Sequence, residues 1–171
     1  MGYRQGVAEP ITGPISRIGS SMNADIDVDT EGQSDPGGEQ HPILTFEQGL
    51  PGFAELRRFE VVPMEGDLSA FSHMASLERT DIQFVVAPPG LFFNDYMVEI
   101  DDEHQEFLGI KDSSDVVVLI IVTIPHPPAQ PTANLLGPIV VNRRTLMAAQ
   151  VVQYQTTLPS SAPLPIGGAA T

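Results

Sequence analysis

An all-β protein, a small closed or pseudo-closed antiparallel barrel or sandwich with one short helix, is the fold class this sequence predicts. Three observations predict it. Apolar and β-branched residues gather in short runs of strand length, as at Ile82 to Ala87 and Ala149 to Tyr154. The runs are separated by strong breakers: Pro51-Gly52, Gly66, Pro88-Pro89-Gly90, Gly109, Pro125 to Pro131 and Gly137-Pro138. Each stops a ladder by removing a donor or by demanding unusual dihedrals. Only one stretch reads as helix. Seven or more strands with one helix leave a barrel or sandwich as the way to bury the apolar faces.

In chain order, strands are expected at Ile43 to Phe46, Phe59 to Val62, Ile82 to Ala87 and Tyr96 to Ile100. Asp101 or Asp102 then caps a helical turn through Phe107 and Leu108, and Gly109 ends it. Val116 to Ile124 is apolar on both faces and is therefore placed at the centre of the fold. Ile139 to Asn142 and Ala149 to Tyr154 complete the set, and His73 sits among residues that read as loop. No repeat of 20 to 50 residues stands out, which argues against a propeller or solenoid.

At 171 residues the chain fits a single core. Of eleven aromatic residues only Tyr3 precedes Phe46. Residues 1–40 are accordingly expected to be a disordered acidic N-terminal tail, 41–159 the β-barrel domain, and 160–171 a loose C-terminal tail. In the first segment Asp25, Asp27 and Asp29 imitate a calcium loop, but Thr30 stands where the sharp turn needs glycine and Pro36 where a bidentate glutamate belongs. No apolar run is long enough for a membrane helix, and no basic-then-apolar leader opens the chain, so a soluble, cytoplasmic protein is expected.

The net charge is −14, from 22 acids against 8 bases, and there is no cysteine. Scattered arginines and a single lysine, Lys111, disfavour nucleic acid, whereas the excess of acid suits a basic protein partner. The absence of cysteine removes thiol nucleophiles and thiolate zinc sites. No phosphate-binding glycine loop, nucleophile elbow or H-E-x-x-H occurs, and no pair of the four histidines has metal-ligand spacing. No cofactor is expected. His104, flanked by Asp102, Glu103 and Glu106, is the one place for acid–base work, so a carboxylate-based hydrolase of carbohydrate or peptide is the enzymatic alternative. A structural assembly component that lends a sheet edge to a neighbour is another.

Charge is most one-sided between Asp95 and Asp115, where eight acids face a single lysine. Asp95, Asp101, Asp102, Glu103 and Glu106 are the candidate landing site for a basic protein, with Phe92, Phe93 and Tyr96 as apolar anchors beside them.

Several segments, in order, resemble the bacterial flagellar assembly factor family, FliW. They begin with Thr45-Phe46-Glu47-Gln48-Gly49-Leu50-Pro51-Gly52-Phe53, in which Glu47 replaces the usual proline. Phe84-Val85-Val86-Ala87-Pro88 and Phe92-Phe93-Asn94-Asp95-Tyr96 follow, with Asn94 where proline is common. The most diagnostic is Thr132-Ala133-Asn134-Leu135-Leu136-Gly137-Pro138-Ile139-Val140-Val141-Asn142, with Gly137 in place of alanine; Gln150-Val151-Val152 and Tyr154 come next. The likeness covers His41 to Pro159. It implies a non-enzymatic regulator, monomeric on its own, that binds flagellin and also the basic translational repressor CsrA, so that exchange of partners relieves repression of flagellin synthesis. It also singles out Pro51, Gly52, Gly137 and Pro138 as turn formers, and Asn134 and Asn142 as residues whose amides satisfy loop backbone.

Overall fold

The computed structural model describes residues 40–154 and 157–165. The expectations for residues 1–39, the acidic tail and its aspartates, lie outside the described residues, as does 166–171.

Among the described residues nine strands and one α-helix follow in order: β1 (Ile43–Thr45), β2 (Arg58–Pro63), β3 (Ser72–Ser76), β4 (Gln83–Ala87), α1 (Asp102–Leu108), β5 (Val116–Thr123), β6 (Thr132–Ala133), β7 (Ile139–Asn142), β8 (Ala148–Gln150) and β9 (Ala162–Pro163). Every ladder is antiparallel. β1 to β5 pair in sequence, and β5 then divides its length. Its first half, Val116 to Leu119, pairs with β7, which pairs with β8. Its second half pairs with β4 and, at Val122 and Thr123, with β6, which carries β9. A single parallel bridge, Thr45 to Met147, with Thr45 N donating to Leu146 O at 2.9 Å, brings β1 against the start of β8. Seven strands thus curl into a pseudo-closed barrel, the fold class the sequence predicts.

β5 is apolar on both faces because it separates two cores. Leu119 points into the barrel, where it meets Phe46, Phe59, Met74 and Ile139. Its neighbours Val118 and Ile120 point outward into a second core with Tyr96, Val98, Ile100 and Leu108. The period of two along the strand makes this division. The outer core is roofed by the chain between Pro88 and Ile110, which contains α1, and by the β6 and β9 arm.

Four expectations need correction. Tyr96 to Ile100 alternates buried with exposed, yet it joins no ladder. Ser72–Ser76 is a strand paired on both sides, so His73 lies in β3 rather than in a loop. β8 stops at Gln150, short of Tyr154. Val151 N and Gln153 N still donate to Pro138 O and Leu136 O, but Pro138 has no N–H to return. Finally, Ala162 pairs with Ala133, and Ala162 and Leu164 are buried, so residues 160–165 belong to the sheet rather than to a loose tail.

Candidate functional site

The face built by residues 95–106 rests on buried contacts. Tyr96 is 5% exposed, and its hydroxyl donates to Leu135 O at 2.7 Å. Burial pushes its pKa well above the usual phenol range. Val98 and Ile100 sink into the outer core with it, which leaves Asp95, Met97, Glu99 and Asp101 facing solvent. The segment stays off the ladders because a side chain occupies the place of a partner strand. Gln153, 3% exposed, accepts from Glu99 N at 2.8 Å through Oε1 and donates from Nε2 to Glu99 O at 3.0 Å and Val151 O at 3.2 Å. The residue after this clamp, Tyr154, is 88% exposed.

α1 follows at once. Asp101 caps it by accepting from His104 N at 2.8 Å, and its Oδ1 lies 2.7 Å from His104 Nδ1. Slight burial works to raise the Asp101 pKa, but the hydrogen bonds from His104 outweigh it and hold the carboxyl below its ordinary value. Asp102, Glu103 and Glu106 are exposed along the helix, whose negative N-terminal residues suit its dipole. The C-terminal end is tied to the barrel. Asn142, 2% exposed at the end of β7, donates from Nδ2 to Leu108 O at 2.9 Å and Gly109 O at 3.2 Å, and its Oδ1 accepts from Arg144 N at 2.9 Å.

The structure therefore gathers Asp95, Asp101, Asp102, Glu103 and Glu106 on exposed backbone within one short stretch. It does not place every acid of that stretch there. Asp115 is 4% exposed, with Oδ1 2.6 Å from Arg144 Nε, so it ties the turn before β5 to the hairpin after β7. Tyr96 is a core residue and not an anchor. Phe92 and Phe93 are half-buried against the outer core, Phe92 stacked on Phe71 at 5.5 Å between ring centroids. Met97, Glu99 and Tyr154 were missed as surface residues, and Gln153 as the clamp. The alternation from Tyr96 to Ile100 signals the first two; nothing in the sequence signals that Tyr154 stands clear of the core.

The remaining motif residues shape turns. Phe53 N donates to Leu50 O at 2.7 Å across Pro51-Gly52, with Gly52 at φ 84°, a type II turn. Asn134 Oδ1 accepts from Leu136 N at 3.1 Å and Gly137 N at 3.0 Å, and Gln150 Nε2 donates to Gly137 O at 2.8 Å ahead of Pro138. His104, the one candidate for acid–base work, is engaged with the helix cap. Among the described residues no three His, Cys, Asp or Glu side chains converge as metal ligands.

Fold and face together define a class: a small antiparallel pseudo-barrel with a second core on its outside, roofed by an acid-bearing arm. Comparison with known proteins narrows it. The FliW protein family model matches residues 28–164. The flagellar assembly factors FliW of Bacillus licheniformis and Bacillus subtilis are each 38% identical, over 132 residues (77% of this chain, 90% of theirs) and 130 residues (76% and 89%). That of Leptospira interrogans is 37% identical over 114 residues, 66% of this chain and 75% of its own. A crystal structure of the flagellar assembly factor FliW superposes with a TM-score of 0.67 at 32% identity, covering 71% of this chain and 84% of that one. The chain belongs to the FliW family.

Proposed function

We propose that this protein is a cytoplasmic, non-catalytic flagellar assembly factor that binds flagellin and antagonises CsrA. Flagellin and the repressor compete for it, and the factor left free by exported flagellin relieves repression of flagellin synthesis. Family membership supports the flagellar role. The observation that carries the regulatory part is the exposed acidic run from Asp95 to Glu106, held on a fixed roof over the outer core. CsrA is basic, and an anionic face speeds its encounter and rejects acidic competitors. Phe92 and Phe93, half-buried beside Asp95, supply apolar surface next to the charge. Exchange requires only that each partner's binding lowers the affinity for the other, whether by overlap or through the fold.

The test is a displacement experiment. CsrA from the same organism is mixed with the purified protein, flagellin is added, and the species are resolved by size-exclusion chromatography. Release of CsrA as flagellin binds is the expected result. A stable assembly of all three, or association with neither, sinks the proposal.

A further inference from the structure

Residues 94–111 carry Asp95 and the acids of α1, and no strand pairs with them. Among the described residues, every backbone–backbone hydrogen bond they make ends on another residue of 93–111. Side chains make the polar ties of this arm to the barrel. The Tyr96 hydroxyl donates to Leu135 O near one end, and Asn142 Nδ2 donates to Leu108 O and Gly109 O at the other. Between them Gln153 grips both backbone groups of Glu99, accepting from its N–H and donating to its C=O. Tyr96, Val98, Ile100, Leu108 and Ile110 sink into the outer core and hold the arm down. Apolar burial is non-directional, whereas a two-point amide clamp fixes a backbone in place and orientation. Glu99 lies between Asp95 and Asp101, so the clamp sets how the acids on its two sides stand relative to each other.

We propose that Gln153 is a positioning residue for the acidic face. It carries no charge and at 3% exposure meets no partner, yet by fixing Glu99 it fixes the array of carboxylates that a basic protein encounters. This rests on the reading that the acidic face receives a basic partner, and it names the residue that keeps that face in its binding shape. Groups held in place before the encounter bind tighter because no ordering cost falls on binding. The kinetics separate position from charge. Long-range steering follows net charge, which a neutral substitution leaves alone, so association keeps its rate. The fit of the carboxylates to the docked partner follows position, so dissociation quickens.

The test uses the full ¹⁵N-labelled chain with CsrA as the probe. Gln153→Met keeps the length of the side chain and removes its amide. Expected are dissociation about tenfold faster, an unchanged association rate, and faster amide exchange at Glu99 with β2 and β3 unaltered. A loss of stability alone gives the opposite split, because fewer competent molecules slow the apparent association and leave dissociation as it was. Gln153→Glu is the second variant, measured at about pH 8, well above the ordinary glutamate value. It adds an acid, so a count of charges predicts tighter binding. A carboxylate accepts from Glu99 N but cannot donate to Glu99 O, so the positioning role predicts weaker binding. Unchanged dissociation from Gln153→Met despite accelerated Glu99 exchange overturns the proposal, as does tighter binding by Gln153→Glu. Acceleration of β2 and β3 together with Glu99 also overturns it, since Gln153 then serves the fold alone. Wild-type protein that does not bind CsrA removes the acidic-face reading together with this one, whereas wild-type binding with any of those three results removes only the positioning role.

Discussion

Gly49 and Gly52 both hold positive φ, 69° and 84°, in successive turns, but their surroundings differ. A Cβ on Gly49 falls 2.5 Å from the backbone oxygen of Ala54, whereas a Cβ on Gly52 meets nothing within 4 Å. Gly52→Ala is expected to cost about 1 kcal/mol, the left-handed penalty alone. Gly49→Ala adds a clash with backbone and is expected to cost more than about 2 kcal/mol. Urea unfolding of both variants checks the order, and equal losses would contradict the close approach. Asn142 is the other residue on which much depends, since one buried amide serves Leu108, Gly109 and Arg144. Asn142→Ala orphans those groups and is expected to cost about 2–3 kcal/mol. Amide exchange of α1 should accelerate more than that of β2, because the helix loses its tie to the barrel. The glycines and the asparagine were legible as turn and loop residues. Their partners were not, since Ala54 and Leu108 are identified only by folding.

α1 shows how far local chemistry reaches at the level of an element. Its cap at Asp101 and its end at Gly109 are local signals, and the helix spans Asp102–Leu108 between them. Asp101→Ala is expected to lower stability by about 1 kcal/mol at neutral pH. Because the folded pKa of Asp101 lies below its ordinary value, the fold favours the charged form. The cap's charge-dependent contribution is thus complete above the ordinary aspartate pKa of about 4 and is lost as pH falls through the lowered value. Thermal melts should show a gap between wild type and Asp101→Ala that is present at neutral pH and narrows below about pH 4. A gap that persists undiminished there would mean that the charge is not what caps the helix. Elements whose identity depends on a neighbour were harder to read. Ser72–Ser76 has one large apolar residue, Met74, and is a strand because β2 and β4 pair with it. Tyr96 to Ile100 has the alternation of a strand, but the Gln153 side chain, 54 residues away for Glu99, takes the place of its ladder.

For the molecule as a whole, charge and fold do separate work. Two cores on opposite faces of one sheet fix the roof that carries the acids, so its surface charges can be changed without touching the packing. Reversal of Asp102, Glu103 and Glu106 to lysine, which leaves the Asp101 cap in place, is expected to weaken CsrA binding about tenfold, at roughly 0.5 kcal/mol per rim charge. Binding by the wild type should weaken as salt rises, and more steeply than in the variant. Calorimetric titration at two salt concentrations measures both, and unchanged affinity with unchanged salt dependence removes the face from the account. The amino-acid sequence alone determined the all-β class, the double-faced β5, the single capped helix and the acidic excess, because periodicity, breakers and charge are local properties. Only the tertiary structure decided that Asp115 is buried against Arg144, that Tyr96 belongs to the core, that Ala162 and Leu164 complete the sheet, and that Tyr154 stands clear of the core. Each of these depends on which distant segment comes to lie alongside, and that is settled by the packing of the two cores rather than by neighbours in sequence.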